Sequence, residues 1–176
     1  DTAPAVARIK ERFGISGALF EGYDHPYLTL AAEVRNNPDI DRVALETMIS
    51  DELVAFEGVA YAIPSARLRE GSLPDNALMQ AVLNNYHPGR SGDIYLVFQP
   101  EWFIADMDGL SVSVTHGSPW RYDTFVPILF AGQGIAPQKV SRRVHTIDVA
   151  LTLSIVAGTR PPSGATGGVL LEVLGQ

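Results

Sequence analysis

The sequence predicts an α/β fold built in layers. Three observations predict it. Short strand-like segments alternate with helical ones along the 176 residues. The 16 glycines and 12 prolines are spread between those segments as punctuation, with no internal repeat or low-complexity tract. The composition, 46% hydrophobic and 19% charged, is that of a globular chain long enough to carry a real core.

Residues 5–13 have helical spacing and end at Gly14, a position suited to a left-handed cap. Two strand-like runs, GALFEG and YLTLAAEV, follow within 17–35, broken by Asp24-His25-Pro26. Residues 42–57 form the clearest helix, with Leu45, Met48, Ile49, Leu53 and Phe56 on one face. Asp39 or Asp41 suits its start and Gly58 its end. Val59 to Ile63 reads as a strand closed by Pro64, and Ser72-Leu73-Pro74-Asp75 as a helix start. That helix turns Leu78, Val82 and Tyr86 inward and stops before His87-Pro88. Residues 93–98 are a strand apolar on both faces. In 110–115 Leu110, Val112 and Val114 alternate with polar residues, as in a half-buried strand. Val126 to Phe130 reads as a further strand. Thr146 to Ala157 reads as a helix capped by Thr146 and ended by Gly158. The composition shifts near residue 100. Residues 1–100 are expected to form an α/β lobe with a small split βαβ pattern. Residues 101–176 are too short for an independent sheet and are expected to be part of something longer.

Charge and composition narrow the function. Lys and Arg total 13 against 20 Asp and Glu, a net charge of −7, which argues against duplex nucleic acid as a partner. Cysteine is absent, so disulfides and thiolate metal sites are excluded. No apolar run approaches the roughly 18 residues of a membrane span, and the first residues, Asp1-Thr2-Ala3-Pro4, do not form a signal peptide.

Four histidines, His25, His87, His116 and His145, are the candidate site groups, and no two have helical metal-ligand spacing. His116 follows the 110–115 segment, where functional side chains collect at strand ends, and Gly117 after it permits close approach of a ligand. Its imidazole is a natural zinc ligand. The competing reading is a loop histidine that bonds its own turn. Asp123, seven residues on, can orient His116 from behind or cap the next turn. Arg90-Ser91-Gly92-Asp93 reads as a tight turn, with Asp93 bonding nearby amides. His25-Pro26 and His87-Pro88 read as element boundaries, and Trp102-Phe103 as a hydrophobic anchor.

Three segments carry a resemblance. Asn85-Tyr86-His87-Pro88-Gly89-Arg90-Ser91-Gly92-Asp93-Ile94 leads into Val97-Phe98-Gln99-Pro100-Glu101-Trp102-Phe103. Then come Thr115-His116-Gly117-Ser118-Pro119-Trp120-Arg121-Tyr122-Asp123-Thr124-Phe125-Val126-Pro127 and the segment 146–162. In this order they resemble the C-terminal part of the alkaline phosphatase superfamily. The likeness is nearest to phosphate-irrepressible alkaline phosphatases and type I phosphodiesterase/nucleotide pyrophosphatases. It covers about residues 80–176 well and the rest loosely. Leu151 stands where that family often carries proline, and Phe125 where relatives often carry histidine.

The resemblance implies a fragment of an alkaline-phosphatase-like layered fold. It implies a parent enzyme, periplasmic or secreted, in which two zinc ions clamp a small phosphate ester and a Thr or Ser is the nucleophile. The histidine of the Thr-His-Gly motif, His116 here, is the last zinc ligand. The nucleophile and the other ligands lie on the missing N-terminal part, which is then this chain's partner. The chain is therefore expected to be a C-terminal fragment of a zinc-dependent phosphoric-ester hydrolase, with no catalytic residue of its own, inactive alone and weak in zinc binding. The rival expectations are a non-catalytic α/β binding module and a sulfatase-type relative.

Overall fold

The computed structural model describes residues 2–107 and 110–175. They fall into two compact units, 1–125 and 126–176.

The first unit opens with helix α1, Ala3–Phe13, which ends at Gly14 as predicted. Strands β1, Phe20–Asp24, and β2, Tyr27–Leu30, make a hairpin around His25-Pro26, whose peptide bond is cis. The second predicted strand run is shorter than expected, because Ala32–Arg35 turns into a short helix, α2. Helix α3, Arg42–Val54, is capped by Asp41, whose carboxylate accepts the Ala44 N–H at 3.0 Å. Strand β3, Val59–Pro64, runs directly into helix α4, Ser65–Glu70, which the sequence pattern does not announce. Helix α5 is Ala77–Asn85. Its cap is Asn76, with its side-chain oxygen on the Met79 N–H at 3.0 Å, and not the Ser72-Leu73-Pro74-Asp75 signal upstream. Strand β4 is Ile94–Phe98.

The four strands form one sheet in the order β1-β2-β4-β3, with every neighbouring pair antiparallel. Both β2 and β3 are antiparallel to β4 between them, so they are parallel to each other. This is the split βαβ arrangement that the sequence predicts, with α3 on the crossover. The apolar run of β4 follows from helices on both faces. Ile94 and Leu96 enter a core with Ile9, Leu30, Leu45 and Ile49, while Tyr95 and Val97 enter a second core with Leu68, Met79 and Val82. Val97 and Val82 are at most 1% exposed.

A polar network lies within this lobe. The Glu46 carboxylate, 2% exposed, receives Arg42 Nη2 at 2.7 Å and the Ser65 hydroxyl at 3.0 Å. Arg42 Nη2 also reaches Asp93 Oδ1 at 2.8 Å. The other Asp93 oxygen accepts the Leu30 N–H at 2.8 Å. The turn before β4 is present, but the Asp93 carboxylate bonds the distant Leu30 amide and Arg42 in place of amides of its own turn, and so ties β2, β4 and α3 together.

Beyond β4 the predictions hold less well. The 110–115 segment pairs only at β6, Leu110–Ser111, against β5, Asp106–Met107. The side chain of Leu110 lies outside the described residues, Val112 is half-buried, and Val114 is 83% exposed. The alternation is thus not matched by a buried face. A single helical turn, α6, Arg121–Thr124, follows.

In the second unit, 126–130 has no regular structure, so the predicted strand there is absent. Helix α7 is Asp148–Val156, and Thr146 does not cap it. Instead Asp148, in its first turn, accepts the His145 N–H at 2.8 Å and the Gly168 N–H at 2.8 Å. The Thr152 hydroxyl donates to the Asp148 carbonyl and accepts the Leu170 N–H at 3.0 Å. A 3-10 turn, Leu171–Leu174, follows, and its Glu172 pairs with Arg142. No described helix is long and apolar enough to cross a membrane.

Candidate functional site

The segment from Val112 to Trp120 carries His116 and is pinned at several points. Val112 donates its N–H to the Ala105 carbonyl at 2.8 Å. Ser118 donates its N–H to Asp123 Oδ2 at 2.7 Å, and the Ser118 hydroxyl accepts the Trp120 N–H at 3.3 Å. The Trp120 indole N–H donates to the Phe98 carbonyl at the end of β4, at 2.7 Å. The loop is therefore anchored to the sheet on one side and to α6 on the other.

His116 is exposed, and Gly117 beside it has φ 99°, a conformation that favours glycine. A Cβ there would also stand 3.3 Å from His25 Cδ2 and Nε2. His25 is the residue the sequence reading treats only as an element boundary. Its Nδ1 shares a 2.7 Å hydrogen bond with the Tyr23 hydroxyl, and its Nε2 is buried without a partner among the described residues. Burial pushes the Tyr23 hydroxyl pKa well above the ordinary phenol value. Tyr23 therefore keeps its proton and can donate it to His25. A histidine 91 residues before His116 in sequence thus lies against the same loop, which no local pattern could reveal.

His116, Gly117 and Ser118 form part of the wall of a cavity of about 230 Å³. Phe98, Trp102, Phe103 and Tyr122 line it as well. Trp102 reaches this position by lying flat on Gly58, whose φ is 88° and where a Cβ would come within 2.2 Å of the indole. The Tyr122 hydroxyl accepts the Glu101 N–H at 3.0 Å, which holds the Trp102 segment against α6. The anchor role read for Trp102-Phe103 omits this cavity. The missed signal was the spacing of aromatic residues at 98, 102, 103 and 122 around the His-Gly motif.

No family model matches the chain. Individual proteins do. A protein of Myroides odoratus named calcium-transporting ATPase is 29% identical over 96% of this chain and 30% of its own length. Alkaline phosphatase PafA of Elizabethkingia meningoseptica is 28% identical over 97% of this chain and 30% of its own. Alkaline phosphatase PhoK of a Sphingomonas species is 31% identical over 96% and 31%. The crystal structure of wild-type alkaline phosphatase PafA superposes with a TM-score of 0.81 at 25% identity, covering 98% of this chain and 32% of that one. The chain is related to alkaline phosphatases. It spans about 30% of the length of the curated relatives it matches.

In this alkaline phosphatase relative, the two residues singled out in the sequence lie on one cavity wall. They are not joined directly, because the hydrogen bond of Asp123 goes to the Ser118 amide and not to the imidazole. A zinc ion needs about four donors. Among the described residues no group of three or more His, Cys, Asp or Glu is placed to share an ion. The described residues therefore do not fit a zinc centre by themselves. His87 and His145 lie outside the cavity wall, and the backbone N–H of His145 serves Asp148.

Proposed function

We propose that this chain is the C-terminal part of a zinc-dependent phosphoric-ester hydrolase of the periplasm or cell exterior. It supplies His116 as one zinc ligand, with Asp123 positioning the loop that carries it. Residues 1–100 act as a lobe flanking the substrate cleft, and 101–176 as the closing part of the catalytic core. Alone, the chain is inactive and holds zinc weakly.

One observation carries this reading. An exposed imidazole stands in a Thr-His-Gly loop fixed by several hydrogen bonds, and among the described residues no group of three or more His, Cys, Asp or Glu is placed to share an ion with it. That is the form expected of one ligand in a shared set. The chain's likeness to about 30% of each alkaline phosphatase relative supports the same conclusion. So does helix α7. It buries Asp148, Thr152 and Ser154 and exposes Leu153, Ile155 and Val156, the reverse of a helix at a finished surface.

The test is zinc titration together with p-nitrophenyl phosphate turnover, on this chain and on the longer parent protein. The parent should turn over substrate with bound zinc and lose both on His116→Ala. This chain alone should do neither. Turnover by this chain, abolished by His116→Ala, would refute the fragment reading.

A further inference from the structure

We propose that the cavity beside His116 is an organic-group subsite that takes a single neutral aromatic ring, the aryl or benzyl group of a phosphate ester. The inference rests on the preceding reading for the phosphate, but the cavity's own chemistry argues for the ring.

The first argument is charge. Among the described residues no Lys or Arg lines the cavity, while the carboxylate residues Glu101 and Asp123 do. A phosphate dianion placed inside would meet negative charge with no cation to offset it. The phosphate of a bound ester must therefore stay outside, on the His116 side, and the cavity receives the uncharged part.

The second argument is the wall. Phe98, Trp102, Phe103 and Tyr122 contribute aromatic surface, and Pro119 and Val114 add apolar surface. Two of the polar side chains in the wall are engaged by neighbouring backbone, while His25 Nε2, also in the wall, is left without a partner among the described residues and can meet a single polar atom of a guest. Asp123 holds the Ser118 amide, and the Tyr122 hydroxyl holds the Glu101 amide. Aromatic walls of this kind favour a ring packed face or edge on.

The third argument is size. A cavity of roughly 150 Å³ lined by apolar side chains is enough to bind benzene, and this one measures about 230 Å³. It has room for one ring with a short linker.

The chain has two tryptophans, and only Trp102 lines the cavity. The test is a set of nitrogen-edited NMR titrations of the unmodified chain, following the two indole N–H signals, assigned with Trp102→Phe. The probes are benzyl alcohol, phenyl phosphate and inorganic phosphate. The Trp102 signal should shift saturably with benzyl alcohol and with phenyl phosphate, and stay in place with inorganic phosphate. The signal of Trp120, bonded to the Phe98 carbonyl, should move much less. Trp102→Leu and Tyr122→Leu should each weaken benzyl alcohol binding at least fivefold. The titration of the unmodified chain decides the matter even if a variant fails to fold. Non-saturating shifts with both aryl probes, or an equal response to inorganic phosphate, would overturn the proposal. Benzyl alcohol carries no phosphate and needs no zinc. Its binding therefore reports on the subsite alone, while the zinc and turnover assays report on the hydrolase reading.

Discussion

Asp123 holds the backbone N–H of Ser118 at 2.7 Å and so closes the loop that presents His116 and Gly117. The carboxylate is partly buried, and a hydrogen bond to a charged group contributes about 1.5–3 kcal/mol when well shielded. Partial exposure puts Asp123→Ala below that range, at about 1 kcal/mol. Hydrogen exchange should show the Ser118 amide losing protection while amides of β4 keep theirs. Unchanged exchange at Ser118 would show that the loop is held by the Trp120 and Val112 contacts alone.

The lobe of residues 1–100 has a more demanding test in the Arg42 network. Arg42 neutralises both Glu46, 2% exposed, and Asp93. Removing one partner of a buried ion pair leaves an uncompensated charge and costs about 3–5 kcal/mol. Arg42→Met strands two carboxylates and should cost about 3 kcal/mol, since the guanidinium is partly exposed. The midpoint of urea unfolding measures it. A loss below about 1 kcal/mol would mean that Arg42 is not what holds the two carboxylates in place.

How much of this could be read from sequence depended on whether a segment's partners lie next to it in the chain. Helix α3 was legible because its apolar face and its Asp41 cap are local, although it ends at Val54 with Ala55 as its cap, short of the expected close at Gly58. Strand β4 was legible as an unbroken apolar run. Helix α4 was not, because Ser65–Glu70 is too short to show a period and begins straight after Pro64. The 110–115 alternation was misleading, since Val114 finds no face to cover it in this chain. Within the site, His116 stood out through a motif. His25 could not, because its significance lies in its contact with Gly117 and its bond to Tyr23.

The acid sensitivity of residues 126–176 follows from Asp148 and Glu172. The His145 and Gly168 N–H groups hold the Asp148 carboxyl below its ordinary value of 3.8. The Arg142 guanidinium brings Glu172 down from 4.5 to about 2. A carboxyl with a lower pKa folded than unfolded stabilises the fold above its unfolded value. That contribution fades as the pH falls through the folded value. The thermal midpoint of the unmodified chain should therefore drop between about pH 5 and pH 2. Asp148→Asn should start lower at neutral pH and fall less across the same window. A parallel decline in both proteins would remove Asp148 as a source of the acid response.

Gly58 offers a way to disturb the aromatic cavity from outside it. A methyl group at this position would come within 2.2 Å of the Trp102 ring, at a φ of 88° that L residues rarely adopt. Gly58→Ala should cost about 1–3 kcal/mol in backbone strain. It should also displace Trp102, seen as a moved indole signal and a red-shifted emission. An unmoved Trp102 signal would mean that the backbone at Gly58 yields and the ring does not.

Helix α7 separates a self-sufficient domain from a part of a larger one. Its Leu153 and Val156, 47% and 48% accessible, leave about half of their apolar surface open. Substitutions at surface positions without specific contacts stay within about 0.5 kcal/mol. Leu153→Gln and Val156→Lys together should therefore leave the melting temperature of this chain nearly unchanged and raise its solubility, because an apolar patch has been removed. In the longer parent the same pair should lower stability by about 2–4 kcal/mol, since burying a charge or amide against an apolar neighbour is costly. Thr152→Val should behave in the opposite way, weakening this chain through the lost Leu170 and Asp148 bonds whatever surrounds it. If Leu153→Gln with Val156→Lys proves harmless in the parent too, then α7 faces solvent there, and its apolar side needs another explanation.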